Sequence, residues 1–451
     1  MKKILIKPEN IFLILCLLWG STMMIINPPF QTPDEAQHFF KMYGFTNGTF
    51  NFKVLNKHAG DFLPESIIKI SQFEKIGGHQ ELKTTKTEIT EALKIKLEKH
   101  KTKFYEFTPT GYTPVSYFPS FLVLWVMKLL NTPPLIMMYM LRLCSLFLYT
   151  GLIYQAIKTM PVKKWLFALL ALMPMTLYEA SSVSTDALTT GLAFLFIAYT
   201  LKLALDKNIK KISKNEFIFF GSLLTFTLVC KYAYFPLILL YFCIPKEKFN
   251  TQKTRYSYFF TLFLLNIFIT GIYILHILSV GQNVISGAPG YDRKFMIGFI
   301  LNRFSWFLDF FWQTVKSQWS VYLYSYIGLL GCNDTFLDVS LLKGFILILI
   351  TAGLFKTDKK ETVFDLKMKF LFLISFLASF TIILTSAFIL FQCYPVFCGI
   401  QGRYFIPVMP LLFFLFDNKK WSWKKMPLYL IIAAAILMPF VLGTLINRFY
   451  L

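Results

Sequence analysis

The chain is a succession of apolar runs, each roughly 14 to 23 residues long, separated by short loops that carry lysine. Runs of that length, unbroken by charge at helical spacing, predict membrane-spanning helices and not the amphipathic helices of a soluble core. The first run covers residues 11–26, and Asn27-Pro28-Pro29 ends it because proline cannot continue a helix. Further runs lie at 135–157, 165–178, 187–205, 217–244, 258–278, 341–355, 370–391, 405–416 and 428–446. Lys231 stands in the middle of 217–244. The loops around Lys210 and Lys248 are both basic, and both face one side only if the chain crosses twice and turns at Lys231. The pattern predicts an all-α polytopic membrane protein with about eleven transmembrane helices and a cytoplasmic N-terminus. It forms a single integral membrane domain over residues 1–451.

Two hydrophilic stretches interrupt the pattern: a first external loop, 27–134, and a second external segment, 279–340. Both are too long for plain connectors. In the first, residues 71–103 are rich in lysine and glutamate and predict one or two surface helices. Residues 115–130 are apolar but short, and they are read as an interfacial helix: were they to span, the basic loops that follow would fall on the wrong side. In the second, residues 295–326 hold Trp306, Trp312 and Trp319, which predicts interfacial helices with an aromatic belt. A further span at 321–330 is the alternative.

Composition sharpens this. A chain that is 56% hydrophobic with 51 phenylalanines has no soluble surface large enough to hide them. The net charge of +22 points first to nucleic acid, but outside the long first loop the lysines cluster in short loops between apolar runs, the positive-inside pattern, so no nucleic-acid partner is expected. The seven cysteines show no zinc spacing; Cys393 and Cys398 share one loop and pair only if it faces an oxidising compartment. Lys2, Lys3 and Lys7 before an apolar run resemble a signal peptide, but no small-x-small site follows, so an uncleaved first span is expected.

The candidate chemistry lies at the outer ends of the runs. Asp34 and Glu35 follow the first run in NPPFQTPDEAQHFFK, with His38 one turn later. Glu179 and Asp186 flank another outer turn, Lys231 occupies a third, and Arg403 lies in GIQGRYF between Gln401 and Tyr404. Ionisable residues at membrane depth are costly and usually functional. Two carboxylate clusters and two cations at one level suit a reaction with one proton to accept and one phosphate to hold. A carboxylate takes the proton of an attacking hydroxyl; lysine and arginine hold the phosphate, arginine in bidentate fashion. Each has a plainer reading. Asp186 is a helix N-cap, Asp34 and Glu35 cap a surface helix starting at Pro33, Lys231 is an interface anchor, Arg403 is a helix-end charge and His38 is a solvated surface histidine. No HExxH, Walker, GxSxG or GxGxxG motif is present, so metalloprotease, ATPase and serine-hydrolase readings lack support.

The stretches NPPFQTPDEAQHFF, SSVSTDAL and GIQGRYFIPVMPLLFF resemble, over most of the chain, the bacterial membrane family named domain of unknown function 2142, DUF2142. That family is grouped with the GT-C glycosyltransferases, which take sugars from polyprenyl-phosphate donors on the outer membrane face. The resemblance implies a GT-C-like fold and a bacterial cytoplasmic membrane. It implies Asp34 as the acidic catalytic residue, with Glu35 assisting or holding a divalent cation. It matches Asp186 to the acid at the outer end of the third span, and Lys231 to a lysine turning between short spans. Lys231 and Arg403, with Gln401, Tyr404 and His38 nearby, are then the donor side. The implied partners are membrane lipids, a lipid-linked sugar and a cell-envelope glycan or lipid acceptor. The rival readings are a transporter or flippase of lipid-linked saccharides and a non-catalytic scaffold of envelope synthesis. Many members of the superfamily carry a soluble C-terminal domain; this sequence stops at Leu451, so acceptor recognition is expected on the external segments.

Overall fold

A computed structural model describes residues 7–50, 52–56, 58–107, 112–280, 293–359, 361–391 and 399–451. Cys393 and Cys398 lie outside these residues. Helix α1 (Pro8–Ile26) leads to the short α2 (Glu35–Phe45). A small layer outside the helix bundle follows, made of strands β1 (Lys53–Leu55), β2 (His58–Pro64) and β3 (Thr102–Glu106) with helices α3 (Glu65–Ile70) and α4 (Lys86–Lys94). Next come α5 (Ser120–Leu129), α6 (Pro134–Thr159), α7 (Lys164–Ala171), α8 (Pro174–Ala180), α9 (Asp186–Leu205) and α10 (Lys214–Cys230). The remainder is α11 (Gln252–Val280), α12 (Arg293–Asn302), α13 (Phe304–Ile327), the hairpin β4 (Leu329–Leu330) and β5 (Thr335–Phe336), α14 (Val339–Leu354), α15 (Leu366–Phe391), α16 (Met409–Phe414) and α17 (Met426–Phe449).

Six of these helices are long and apolar enough to cross a membrane, within α1, α6, α9, α11, α15 and α17. Their outward faces carry large apolar side chains such as Leu18, Phe147, Phe268 and Phe440, each roughly half exposed or more. In water such a surface aggregates; facing lipid it is the expected finish of a multi-pass membrane protein. The most apolar stretch of α9 is 72% buried against 17% for α11, so α9 is the central helix and Asp186 starts it on the inside of the bundle.

The helices run between two ends. At one end, basic loops knit together: Lys163 pairs with Asp417 at 2.9 Å, and the Ile212 amide donates to the Lys248 carbonyl at 2.8 Å. That second contact shows the chain going out along α10 and returning, with the turn at Lys231. The return leg, Tyr232–Cys243, is a 3-10 helix, not an α-helix. At ~2.0 Å rise per residue it reaches farther than the same residues would as α-helix, which lets a short segment span back. The run expected as one helix over 165–178 breaks into α7 and α8, because Pro174 lacks the N–H that would continue it. Residues 115–130 form a 3-10 turn and the ten-residue α5, only ~15 Å long.

The layer outside the bundle differs from the expectation of helices alone. Residues 71–103 contribute one 3-10 turn and α4, but their C-terminal end enters β3, which pairs with the preceding β2 in an antiparallel sheet of order β1-β2-β3. Gly60 faces Glu106 across it, and a Cβ at Gly60 would stand 2.1 Å from the Tyr105 carbonyl oxygen. Three short strands, one of them interrupted by Gly60, give a periodicity reading too little to detect. Arg448, at the end of α17, fastens the layer down: it donates to Asp334 Oδ2 (2.6 Å) and to the Ile76 carbonyl (2.8 Å).

The segment after α1 is held by a buried clamp. Two prolines stop α1, which leaves its last carbonyls without helical partners. Arg142, eight residues into α6, supplies donors to the carbonyls of Met24, Asn27 and Pro28. The same guanidinium grips Glu35 in bidentate fashion, Nε to Oε1 at 2.7 Å and Nη2 to Oε2 at 2.6 Å, with both side chains fully buried. Glu35 also accepts from the amides of Phe30 and Val183. One ion pair therefore joins α1, α2, α6 and the segment before α9. Removing one partner of such a pair leaves a bare buried charge, at a cost of about 3–5 kcal/mol. We expect Arg142→Met to lower the thermal unfolding midpoint of the detergent-purified protein sharply. The double variant with Glu35→Gln should recover part of the loss, since both charges are then gone. An unchanged midpoint in Arg142→Met contradicts the assignment.

Candidate active site at one end of the bundle

With Glu35 fixed, the residue before it is forced into an unusual place. Asp34 takes φ +63°, a left-handed conformation that non-glycine residues seldom adopt and that Asp and Asn tolerate best. It stands at the head of α2 but makes no capping hydrogen bond. Its carboxylate turns instead to Arg403, Oδ2 to Nη2 at 2.7 Å, while the side chain stays 54% exposed.

Arg403 is brought there from the far end of the sequence. It sits in a 3-10 turn, Gly402–Val408, pressed against the last turns of α13. Gly402 permits the approach: its amide donates to Ser325 Oγ at 2.6 Å, and a Cβ on it would lie 1.9 Å from the Tyr322 carbonyl oxygen. Arg403 itself is buried and also donates to Glu179 Oε1 at 2.8 Å. Asp186 completes the cluster, 3.8 Å from Arg403 and 3.8 Å from Lys231. The Lys231 ammonium lies 4.2 Å from the centre of the Tyr404 ring and 5.9 Å from that of Tyr112. The Arg403 guanidinium lies against the same Tyr404 ring at 5.1 Å. The fold thus places Asp34, Glu179, Asp186, Lys231 and Arg403, from five separate segments, in one network.

Several buried polar atoms here have no hydrogen-bond partner among the described residues: Lys231 Nζ, Arg403 Nε, Glu179 Oε2 and Gln401 Oε1. Each such atom costs on the order of 1–3 kcal/mol, so their concentration at one point marks binding capacity more than packing. A small pocket at the opposite end, bordered by Lys163, Phe355 and Glu361, is different. There Lys163 and Glu361 already satisfy one another and their neighbours.

The remaining sequence candidates fall out as follows. Glu35, expected to assist Asp34 or hold a metal, does neither by its geometry: four donors already fill its two oxygens. It positions Asp34. Asp34 and Glu35 therefore do not fit a shared divalent cation, and no group of three or more His, Cys, Asp or Glu among the described residues is placed to hold one. Asp186 is not an N-cap; Thr185 holds that position and Asp186 opens the helix. His38 is no solvated histidine. It is buried, with Nδ1 2.8 Å from the Tyr117 hydroxyl and its ring against Tyr112.

Sequence reading passed over two residues with legible signals. Arg142 is a lone charge within an apolar run, which by itself demands a buried partner. Lys41 follows Asp34 and His38 at helical spacing, one face of α2. It is buried and donates to the Tyr112 carbonyl at 2.8 Å, fixing the ring that borders Lys231. Burial pushes the Lys41 ammonium down to about 7 and the His38 imidazolium down to about 4. Burial acts to raise the Asp34 carboxyl, but Arg403 first, then protonated His38 and, least, Lys231 outweigh it and hold Asp34 below the usual carboxylate range.

A family model described as a predicted membrane protein, DUF2142, matches residues 17–412. No curated protein and no solved structure matches the chain.

His38 makes a pH test. Its folded pKa of about 4 lies below the ordinary 6.5, so between those values the unfolded chain takes up a proton that the folded one refuses. Stability should therefore fall as pH drops from 6.5 towards 4, by up to about 3 kcal/mol from this residue. The measurement is unfolding free energy against pH for the native chain and for His38→Gln; parallel curves would show that His38 titrates normally.

Proposed function

We propose that this chain, which belongs to the DUF2142 family of predicted membrane proteins, is a GT-C-type glycosyltransferase acting at the outer face of the bacterial cytoplasmic membrane. The observation that carries the reading is the pair of cations, Lys231 and Arg403, buried against one tyrosine ring beside a half-exposed carboxylate. Two buried donors with unused hydrogen-bonding capacity suit a phosphate leaving group. A carboxylate within the same network suits the acceptor side.

In this reading the donor is a sugar on a polyprenyl-phosphate carrier, its phosphate between Lys231 and Arg403. An acceptor hydroxyl loses its proton to Asp34 and its oxygen bonds to the anomeric carbon. The bond from that carbon to the phosphate oxygen breaks, and the phosphate leaves with the electron pair, its charge held by the two cations. Glu179 and Asp186 hold Arg403 and Lys231 in place. Gln401 and Tyr404 flank the donor. The acceptor, an envelope glycan or lipid, approaches past the two external segments. A transporter would need its charges strung along a path through the bilayer; these gather at one level.

The topology that fits is about eleven crossings with the N-terminus cytoplasmic, counting the short legs on either side of Lys231 and the broken α7–α8. It puts Cys332, an exposed free thiol on the β4–β5 hairpin, outside. A membrane-impermeant maleimide should label intact cells at this cysteine, and Cys332→Ser should remove that label; labelling only after permeabilisation refutes the orientation. For the activity, Asp34→Asn should accumulate at native levels yet change the envelope glycan profile, with at least a 100-fold slower transfer. An intact profile with normal expression would falsify the glycosyltransferase assignment.

A further inference from the structure

Asp34 occupies the edge of Arg403 that an incoming anion needs. Nη1 of Arg403 is taken by Glu179 at 2.8 Å and, more weakly, by the Pro33 carbonyl at 3.4 Å. Nη2 takes Asp34 at 2.7 Å, with only the Tyr404 hydroxyl besides, at 3.5 Å. Lys231 and Arg403 meet across the Tyr404 ring, with Asp186 3.8 Å from each on the other side of the pair. A single phosphate touching both cations thus approaches along that ring.

The two acids on Arg403 are not equivalent. The Glu179 side chain is 4% exposed, on a short helix packed inside the bundle. The Asp34 side chain is 54% exposed and touches the network through one oxygen. Charge points the same way. Three carboxylates, Asp34, Glu179 and Asp186, already face two cations. A further anion is repelled unless one carboxylate leaves, and only Asp34 has solvent to leave into.

We infer that Asp34 is an internal competitor for the anion site: a phosphate ester bound at Lys231 and Arg403, the diester of the donor or the monoester left after transfer, displaces its carboxylate from the guanidinium. The step is an exchange of ionic partners and forms no covalent bond. Resting on the function proposed above, it has a mechanistic consequence. A carboxylate gripped by arginine is a weak base, and one released into a half-exposed site is a stronger one. Asp34 is then masked until the donor arrives, so donor binding precedes proton acceptance, and water is not activated against an empty site.

The test is binding by the full-length protein in detergent, with two probes: inorganic phosphate and a short-chain polyprenyl monophosphate. Asp34→Asn keeps a residue that tolerates positive φ, so its backbone need not move. Its affinity for both probes should rise about fivefold, the worth of a half-exposed ion pair. Arg403→Gln should weaken binding at least about tenfold. Thermal midpoints of each variant establish that the protein is folded. Tighter binding of inorganic phosphate alone supports the competition and counts against the lipid-carrier reading. Unchanged or weaker binding of both probes by folded Asp34→Asn, or no binding by any variant, overturns the inference.

Discussion

The bidentate contact between Arg142 and Glu35 is the constraint on which the rest depends. A helix ended by two prolines would ordinarily release a loose loop at the membrane surface. Here the carbonyls at and just beyond the end of α1 and the first carboxylate of α2 are gathered by one guanidinium inside the bundle. The loop becomes part of the core: Phe30, Gln31 and Thr32 are all buried. Asp34 is then held in a left-handed conformation beside Arg403, 369 residues away in sequence. A lost clamp would unseat the acid without touching any cation.

The electrostatics follow from this placement. Membrane interiors penalise isolated charge, so ionic groups survive there in pairs. Glu35 with Arg142 is such a pair, saturated and structural. Arg403 with Asp34, Glu179 and Asp186 is not saturated, because it holds more acid than base and leaves donor atoms over. The contrast separates the acid that builds the site from the acid that stands ready within it, although the two are neighbours in sequence.

The membrane character and the positions of the long apolar helices were legible, because an apolar run of spanning length has few other solutions. The turn at Lys231 was legible from the basic loops on either side. So was the set of ionisable groups at the ends of runs, Asp34, Asp186, Lys231 and Arg403, which the fold brings together. What failed was local. Adjacent acids gave no sign of which would be buried, because that depends on Arg142 from another helix. The sheet in the first external loop was hidden because its strands are short and carry no sustained alternation. The burial of His38 and Lys41 depends on Tyr112 and Tyr117, about 80 positions further on, and no spacing within α2 reveals such partners.

The central claim is that Lys231 and Arg403 hold the phosphate of a lipid carrier at the outer face. The most direct measurement is an electron cryo-microscopy structure of the protein in a nanodisc with a short-chain polyprenyl phosphate. The account predicts phosphate density between the Lys231 ammonium and the Arg403 guanidinium, at the edge of Tyr404, with the Asp34 carboxylate rotated away. Density for the head group at any other place, with the Asp34–Arg403 contact intact, would contradict it.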